Sequence, residues 1–204
     1  MDYYKKYIKY KTKYLQIKTI NQKGGNKDKF FFVYNTTKYD NLLNILKTGV
    51  LKISSKVSKK RRFRTSGKVD NIYGSIYFKD LENLSHLPDY SILLSEKLLE
   101  DYDIRFNKGW TGNEIISINK DDKESEKYNK LEKVKEFLKD PKDFPEKLKE
   151  PTGLMMHEAV FNKDIPIKEY LIGIVCNSCS EEEINKIKKY TNVKIYTTNL
   201  VPKN

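Results

Sequence analysis

Five consecutive residues, Phe30-Phe31-Phe32-Val33-Tyr34, constrain what this chain can become more than any other feature. An uninterrupted aromatic and β-branched run reads as a buried strand, because such side chains fit a pleated surface packed on a core. A helix signal follows at once. Thr36 or Thr37 can cap it, Leu42, Leu43, Ile45 and Leu46 give it an apolar face, and Gly49 stops it. Further strands are expected at 72–78, 91–94, 113–118, 155–161, 171–175 and 193–196, a helical turn at 96–99 and a helix at 181–190. Residues 122–140 place Tyr128, Leu131, Val134 and Leu138 at helical spacing among dense charges, the pattern of a surface helix. Pro141, Pro145 and Pro151 end it and begin an extended connection. The polar, basic residues 54–71 read as a long loop. The class is α+β, with more strand than helix in the core.

A chain of 204 residues suits one globular unit with an appendage. The appendage is residues 1–25, where Tyr3, Tyr7, Tyr10, Tyr14 and Ile17 form one stripe of a helix whose other faces carry lysine. Gly24-Gly25 sets the boundary, leaving 26–204 as the domain. Such a segment either packs on its own domain or serves as a basic arm for an anionic surface or a partner helix. The apolar stretch around Tyr170–Cys176 is far short of the roughly 20 residues of a membrane-spanning helix, so no membrane span is expected. Nor is an apolar export signal expected at the N-terminus.

The net charge of +12 and a pI of 9.4 favour contact with an anion. Much of the lysine excess fits an AT-rich coding bias, so the clustering of three of the four arginines at 61, 62 and 64 is the more specific signal. Lys59, Lys60, Arg61, Arg62, Phe63 and Arg64 are candidate nucleic-acid contacts, the cations on phosphates and Phe63 stacked on a base. A solvated loop or a localisation signal is the competing reading. A second basic-aromatic patch is Arg105-Phe106-Asn107-Lys108-Gly109-Trp110, in which Trp110 suits packing better than base stacking. Cys176 and Cys179 read as two structural thiols at a strand end, which implies a reducing compartment. No metal site is expected, since His86 and His157 complete no ligand spacing with them.

The residue that breaks the pattern is Glu158, in Met156-His157-Glu158-Ala159-Val160-Phe161. On a strand it shares a face with Met156 and Val160, whereas His157 belongs to the opposite one. A carboxylate between apolar neighbours needs a partner or a solvent-filled cleft, unless the strand lies at an edge with Glu158 in water.

Three segments, in order, resemble the motifs of ADP-ribosyltransferase-like domains. Val33-Tyr34-Asn35-Thr36-Thr37 with Ile45-Leu46-Lys47-Thr48-Gly49-Val50-Leu51 is similar to the family's opening strand and helix. Tyr73-Gly74-Ser75-Ile76-Tyr77-Phe78 looks like its Gly-x-Tyr-Phe strand, and His157-Glu158-Ala159-Val160-Phe161 with Ile165-Pro166 like its catalytic-glutamate strand. The opening motif reads most like the DNA-modifying, DarT-like group. The resemblance implies an ADP-ribosyltransferase-like mixed two-sheet core with flanking helices, to which the residue pattern adds the N-terminal basic helical arm. It implies NAD as substrate, Glu158 as catalyst, and Tyr34, Asn35, Thr37, Ser75 and Tyr77 as the NAD-contacting set, with a nucleic-acid or host-protein acceptor. One departure stands out: the basic residue of the first motif falls on Asn35 or Tyr34, neither of them a cation. A non-catalytic nucleic-acid-binding or virion protein on the same fold, or an RNA 2′-phosphotransferase-like activity, is the alternative. The Tyr-Lys-rich segment ending in Gly-Gly resembles leaders on proteins of large amoeba-infecting DNA viruses, which implies a viral source and a location in host cytoplasm or virion.

Overall fold

The computed structural model describes residues 30–53, 70–78, 87, 89–107, 114–139 and 157–197. The proposed arm at 1–25, the basic stretch at 59–64, His86, Trp110 and the three prolines at 141, 145 and 151 lie outside the described residues. The aromatic run becomes β1 (Phe31–Thr36), followed by α1 (Tyr39–Thr48) and a two-residue β2 (Val50–Leu51). Next come β3 (Ile72–Tyr77), β4 (Tyr90–Leu94), the short α2 (Leu98–Asp101), β5 (Ile104–Asn107), β6 (Glu114–Ile118) and α3 (Glu124–Lys139). The chain closes with β7 (His157–Phe161), β8 (Ile165–Pro166), β9 (Leu171–Cys176), α4 (Glu181–Lys188) and β10 (Lys194–Tyr196). The class is α+β.

Eight strands form one mixed sheet in the order β10-β9-β4-β1-β3-β7-β5-β6, and β2 pairs with β8 in a separate two-stranded one. Every pairing in the large sheet is antiparallel except β10 with β9. The aromatic run therefore ends up near the middle, between β3 and β4, where both faces are covered. On one face lies the main core. Phe32, Ile76, Ile92, Phe106, Ala159, Phe161 and Ile174 meet Leu42 and Leu46 of α1, Leu98 of α2, Leu131 and Val134 of α3, and Ile187 of α4. All four described helices thus contribute to the same side. The other face carries a smaller cluster of Phe31, Val33, Tyr77, Leu87, Leu93 and Val175, concentrated on the β9-β4-β1 half. Its β3-β7-β5 half is where polar side chains stand.

Several local expectations are revised. Neither Thr36 nor Thr37 caps α1: the Thr36 hydroxyl donates to the Lys38 carbonyl at 3.0 Å, and Lys38 takes the cap position with extended backbone. Gly49 ends the helix as expected, in the left-handed conformation at φ 69°, with its N–H donating to the Ile45 carbonyl. Helix α3 is more than a surface element, because its stripe delivers Leu131 and Val134 into the core. Arg105, Phe106 and Asn107, read as the start of a basic-aromatic patch, belong to strand β5 (Ile104–Asn107), with Phe106 fully buried. Phe106 leaves the patch because Ile104 and Phe106 alternate with Arg105 and Asn107, the period of a half-buried strand. Cys176 and Cys179 are brought side by side, paired within bonding reach rather than standing as two separate thiols. The turn after β9 brings the Cys179 N–H to the Cys176 carbonyl and the two Cα atoms to 5.4 Å, inside the disulfide range. The cysteines therefore give no ground for inferring a reducing compartment.

Gly74 is required by the closeness of β1 and β3: a Cβ there would sit 2.9 Å from the Val33 carbonyl oxygen, a backbone atom that cannot step aside. Gly74→Ala should therefore cost about 1–3 kcal/mol of unfolding free energy through strand displacement. Urea unfolding of the two proteins measures this, and equal midpoints would contradict it.

Candidate active site

Strand register carries Glu158 into a defined row. Ser75 on β3 is the cross-strand partner of both Val33 on β1 and Glu158 on β7, and Glu158 is the partner of Asn107 on β5. Residues two apart on a strand share a face, so Asn35, Tyr77 and Arg105 stand on the same side of the sheet as Ser75, Glu158 and Asn107. The edge-strand alternative is excluded, because β7 lies between β3 and β5.

The Glu158 side chain is half-buried, and its Oε2 accepts a hydrogen bond from Asn107 Nδ2 at 2.7 Å. Asn107 is 1% exposed, and its Oδ1 is buried without a hydrogen-bond partner among the described residues. The amide thus spends its donor on Glu158, and its acceptor is left over. Burial pushes the Glu158 carboxyl above the usual carboxylate range, opposed first by the Asn107 hydrogen bond and then by the Arg105 charge. Ser75 is buried beside this pair at 2% exposure. Farther along β1, Asn35 Oδ1 accepts from the Ser91 hydroxyl at 2.8 Å, which fixes the amide with its nitrogen as the remaining donor group.

The other expected contacts are placed differently. Tyr34 alternates with Asn35 and packs against the main core, so of the two candidates it is Asn35 that shares the Glu158 face. Thr37 is exposed beyond the end of β1. The Tyr77 ring stacks on Phe31, centroids 5.6 Å apart and planes 8° from parallel, and is 5% exposed. One of its faces is therefore already occupied. Asn107 is the residue that sequence reasoning missed, and the Ile104/Phe106 alternation was the signal that would have put it on a strand. Among the described residues no group of three or more His, Cys, Asp or Glu is arranged to hold a metal, and no helix is long and apolar enough to cross a membrane.

Comparison with known proteins gives a family. A family of unknown function, DUF5846, matches residues 27–141. Uncharacterized protein R11 of Acanthamoeba polyphaga mimivirus is 40% identical, over 99% of this chain and 83% of that protein. The chain belongs to DUF5846. This relative fits the viral source implied by the leader-like N-terminal sequence. Among solved structures, Thermus sp. 2.9 DarT in complex with NAD+ aligns with a TM-score of 0.49 and 14% identity, covering 84% of this DUF5846 chain and 96% of that one. Thermosipho africanus DarTG in complex with ADP-ribose aligns with a TM-score of 0.42 and 13% identity, over 83% and 49%.

The raised Glu158 pKa has a sign that can be tested. In the interval between the unfolded and the folded pKa, the native state holds the proton that the unfolded chain has released, so stability falls as pH rises through it. Above the folded pKa that penalty is fully present. Glu158→Gln, which carries no charge, should therefore raise the melting temperature relative to the parent at neutral pH, with the gap shrinking in acid. Melting curves across that pH range measure this, and a gap independent of pH would contradict it.

Proposed function

We propose that this protein is an ADP-ribosyltransferase that takes ADP-ribose from NAD and passes it to a nucleic-acid or protein acceptor, with Glu158 as its catalytic residue. The observation that carries this reading is one of convergence. The three segments that resemble the family's motifs lie far apart in sequence, yet they form adjacent strands β1, β3 and β7. Asn35, Ser75, Tyr77 and Glu158, one or two from each segment, share a single sheet face, and a partly desolvated carboxylate stands among them.

The chemistry needs such a carboxylate. As the bond between ribose C1′ and the nicotinamide nitrogen breaks, the electron pair leaves with nicotinamide and positive charge builds on the ribose. Glu158, held in a place of reduced solvation, meets that charge more strongly than a hydrated carboxylate would. The acceptor then forms the new bond at C1′ and gives up a proton. Asn35 and Ser75 are suited to hold ribose hydroxyls or the carboxamide, and Tyr77 forms part of an aromatic wall with Phe31. Asn107 acts through Glu158: its amide hydrogen bond fixes one carboxylate oxygen and favours the ionised form.

The deciding experiment is nicotinamide release and label transfer from NAD, with DNA, RNA and cell lysate as acceptors. Glu158→Gln should reduce the rate by about 10²-fold or more. Asn107→Ala should keep activity at high pH but move the acid limb of the pH–rate profile upward, because it loses the hydrogen bond that lowers the Glu158 pKa. Full activity in Glu158→Gln sinks the reading. Salt-sensitive nucleic-acid binding with no nicotinamide release favours a binding module on this fold.

A further inference from the structure

A polar cleft opens on the Glu158 face of the sheet, one row further along the strands. Val160 is the cross-strand partner of Tyr73 and Arg105, and Arg105 of Ser117, so this row runs alongside the Ser75–Glu158–Asn107 row. The cleft has a volume of about 160 Å³, with Asn71, Asp103, Arg105, Ser117, Asn119 and Asn162 around Val160. Arg105 is two residues from Asn107 on β5 and so roughly 7 Å along the sheet from it. It is near enough to Glu158 for its charge to be felt there.

We propose that this cleft is a phosphate subsite for a nucleotide ligand, with the Arg105 guanidinium as its cation. Three carboxamides and a hydroxyl surround that cation, and each can donate to a phosphate oxygen or to a sugar hydroxyl. A guanidinium presents several fixed donors to a phosphate, which favours bidentate contact. The β1 strand has no cation at Asn35, so on this face a phosphate finds its charge partner on β5 instead. Asp103 sets a limit on the ligand: its Oδ1 accepts from the Lys120 N–H at 2.9 Å, and its charge keeps an anion toward the Arg105 end. Two sources share this chemistry, the pyrophosphate of an ADP-ribose unit and a phosphodiester of a nucleic-acid strand. The subsite does not depend on Glu158 turning anything over.

Equilibrium titration with ADP-ribose, with adenosine and with a short single-stranded DNA oligonucleotide tests it without any reaction. Arg105→Gln should weaken binding of at least one phosphate-bearing probe by about tenfold or more, and leave adenosine unchanged. Asp103→Asn should tighten the same probe. Asn162→Asp, an exposed change at the rim that adds negative charge, should weaken it and gives a readout should Arg105→Gln fail to melt cooperatively. Loss confined to ADP-ribose assigns the cleft to the pyrophosphate, and loss confined to the oligonucleotide assigns it to a strand phosphate. Parent-like binding of both probes by Arg105→Gln and Asn162→Asp overturns the proposal, as does an equal loss of adenosine or no binding of either probe by the parent. None of these outcomes bears on nicotinamide release, so the two readings fail separately.

Discussion

The hydrogen bond from Asn107 to Glu158 is the contact on which the candidate site depends. A carboxylate drawn part-way out of water costs free energy unless it is neutralised or hydrogen-bonded. Here one short amide bond and the nearby Arg105 charge offset part of that cost, and the raised pKa records what is left over. A structure built only for stability would place an apolar residue or a better-solvated acid at this position. The cost retained at Glu158 is what gives it chemical use, since a partly desolvated carboxylate interacts strongly with any positive charge that develops beside it.

The sheet makes this possible by dividing its work between two faces. The four described helices supply the core on one side, with Phe32, Phe106 and Phe161 among the largest buried side chains. That side holds the strands together. The other side needs only the smaller Phe31–Val33–Tyr77–Leu93–Val175 cluster, and so its β3-β7-β5 half can carry serine, asparagine, arginine and glutamate without loss of the fold. The polar half of one face and the apolar face beneath it are linked through single strands: β5 alternates Ile104 and Phe106 with Arg105 and Asn107, and β7 alternates Ala159 and Phe161 with Glu158 and Val160.

Strong local patterns were legible in the sequence. The aromatic run, the left-handed stop at Gly49 and the alternation around Glu158 each depend on residues close together, and each led to the right element. The strand β5 was hidden because its four residues run into Lys108-Gly109-Trp110, and a short amphipathic strand flanked by basic residues looks like a surface patch. The choice between Tyr34 and Asn35 needed the register, since one residue reverses the face. The cap at Lys38 was obscured because two threonines offered better side-chain chemistry than the residue that takes the position. The Cys-x-x-Cys spacing of Cys176 and Cys179 allowed a pairing, but choosing it over two separate thiols needed the turn that brings them together.

The insertion of β7 between β3 and β5 has a consequence for how the molecule comes into being. Glu158 and Asn107 are 51 residues apart along the chain, and Ser75 is farther still, so the row they form closes large loops and adds to the contact order. Helix α1 and the turn at Gly49 can form from neighbours alone. The carboxylate has no desolvated setting until a strand from the last quarter of the sequence docks between two earlier ones. A nascent or partly opened chain therefore has a hydrated, ordinary glutamate at 158, and whatever reactivity the site holds is withheld until folding is complete.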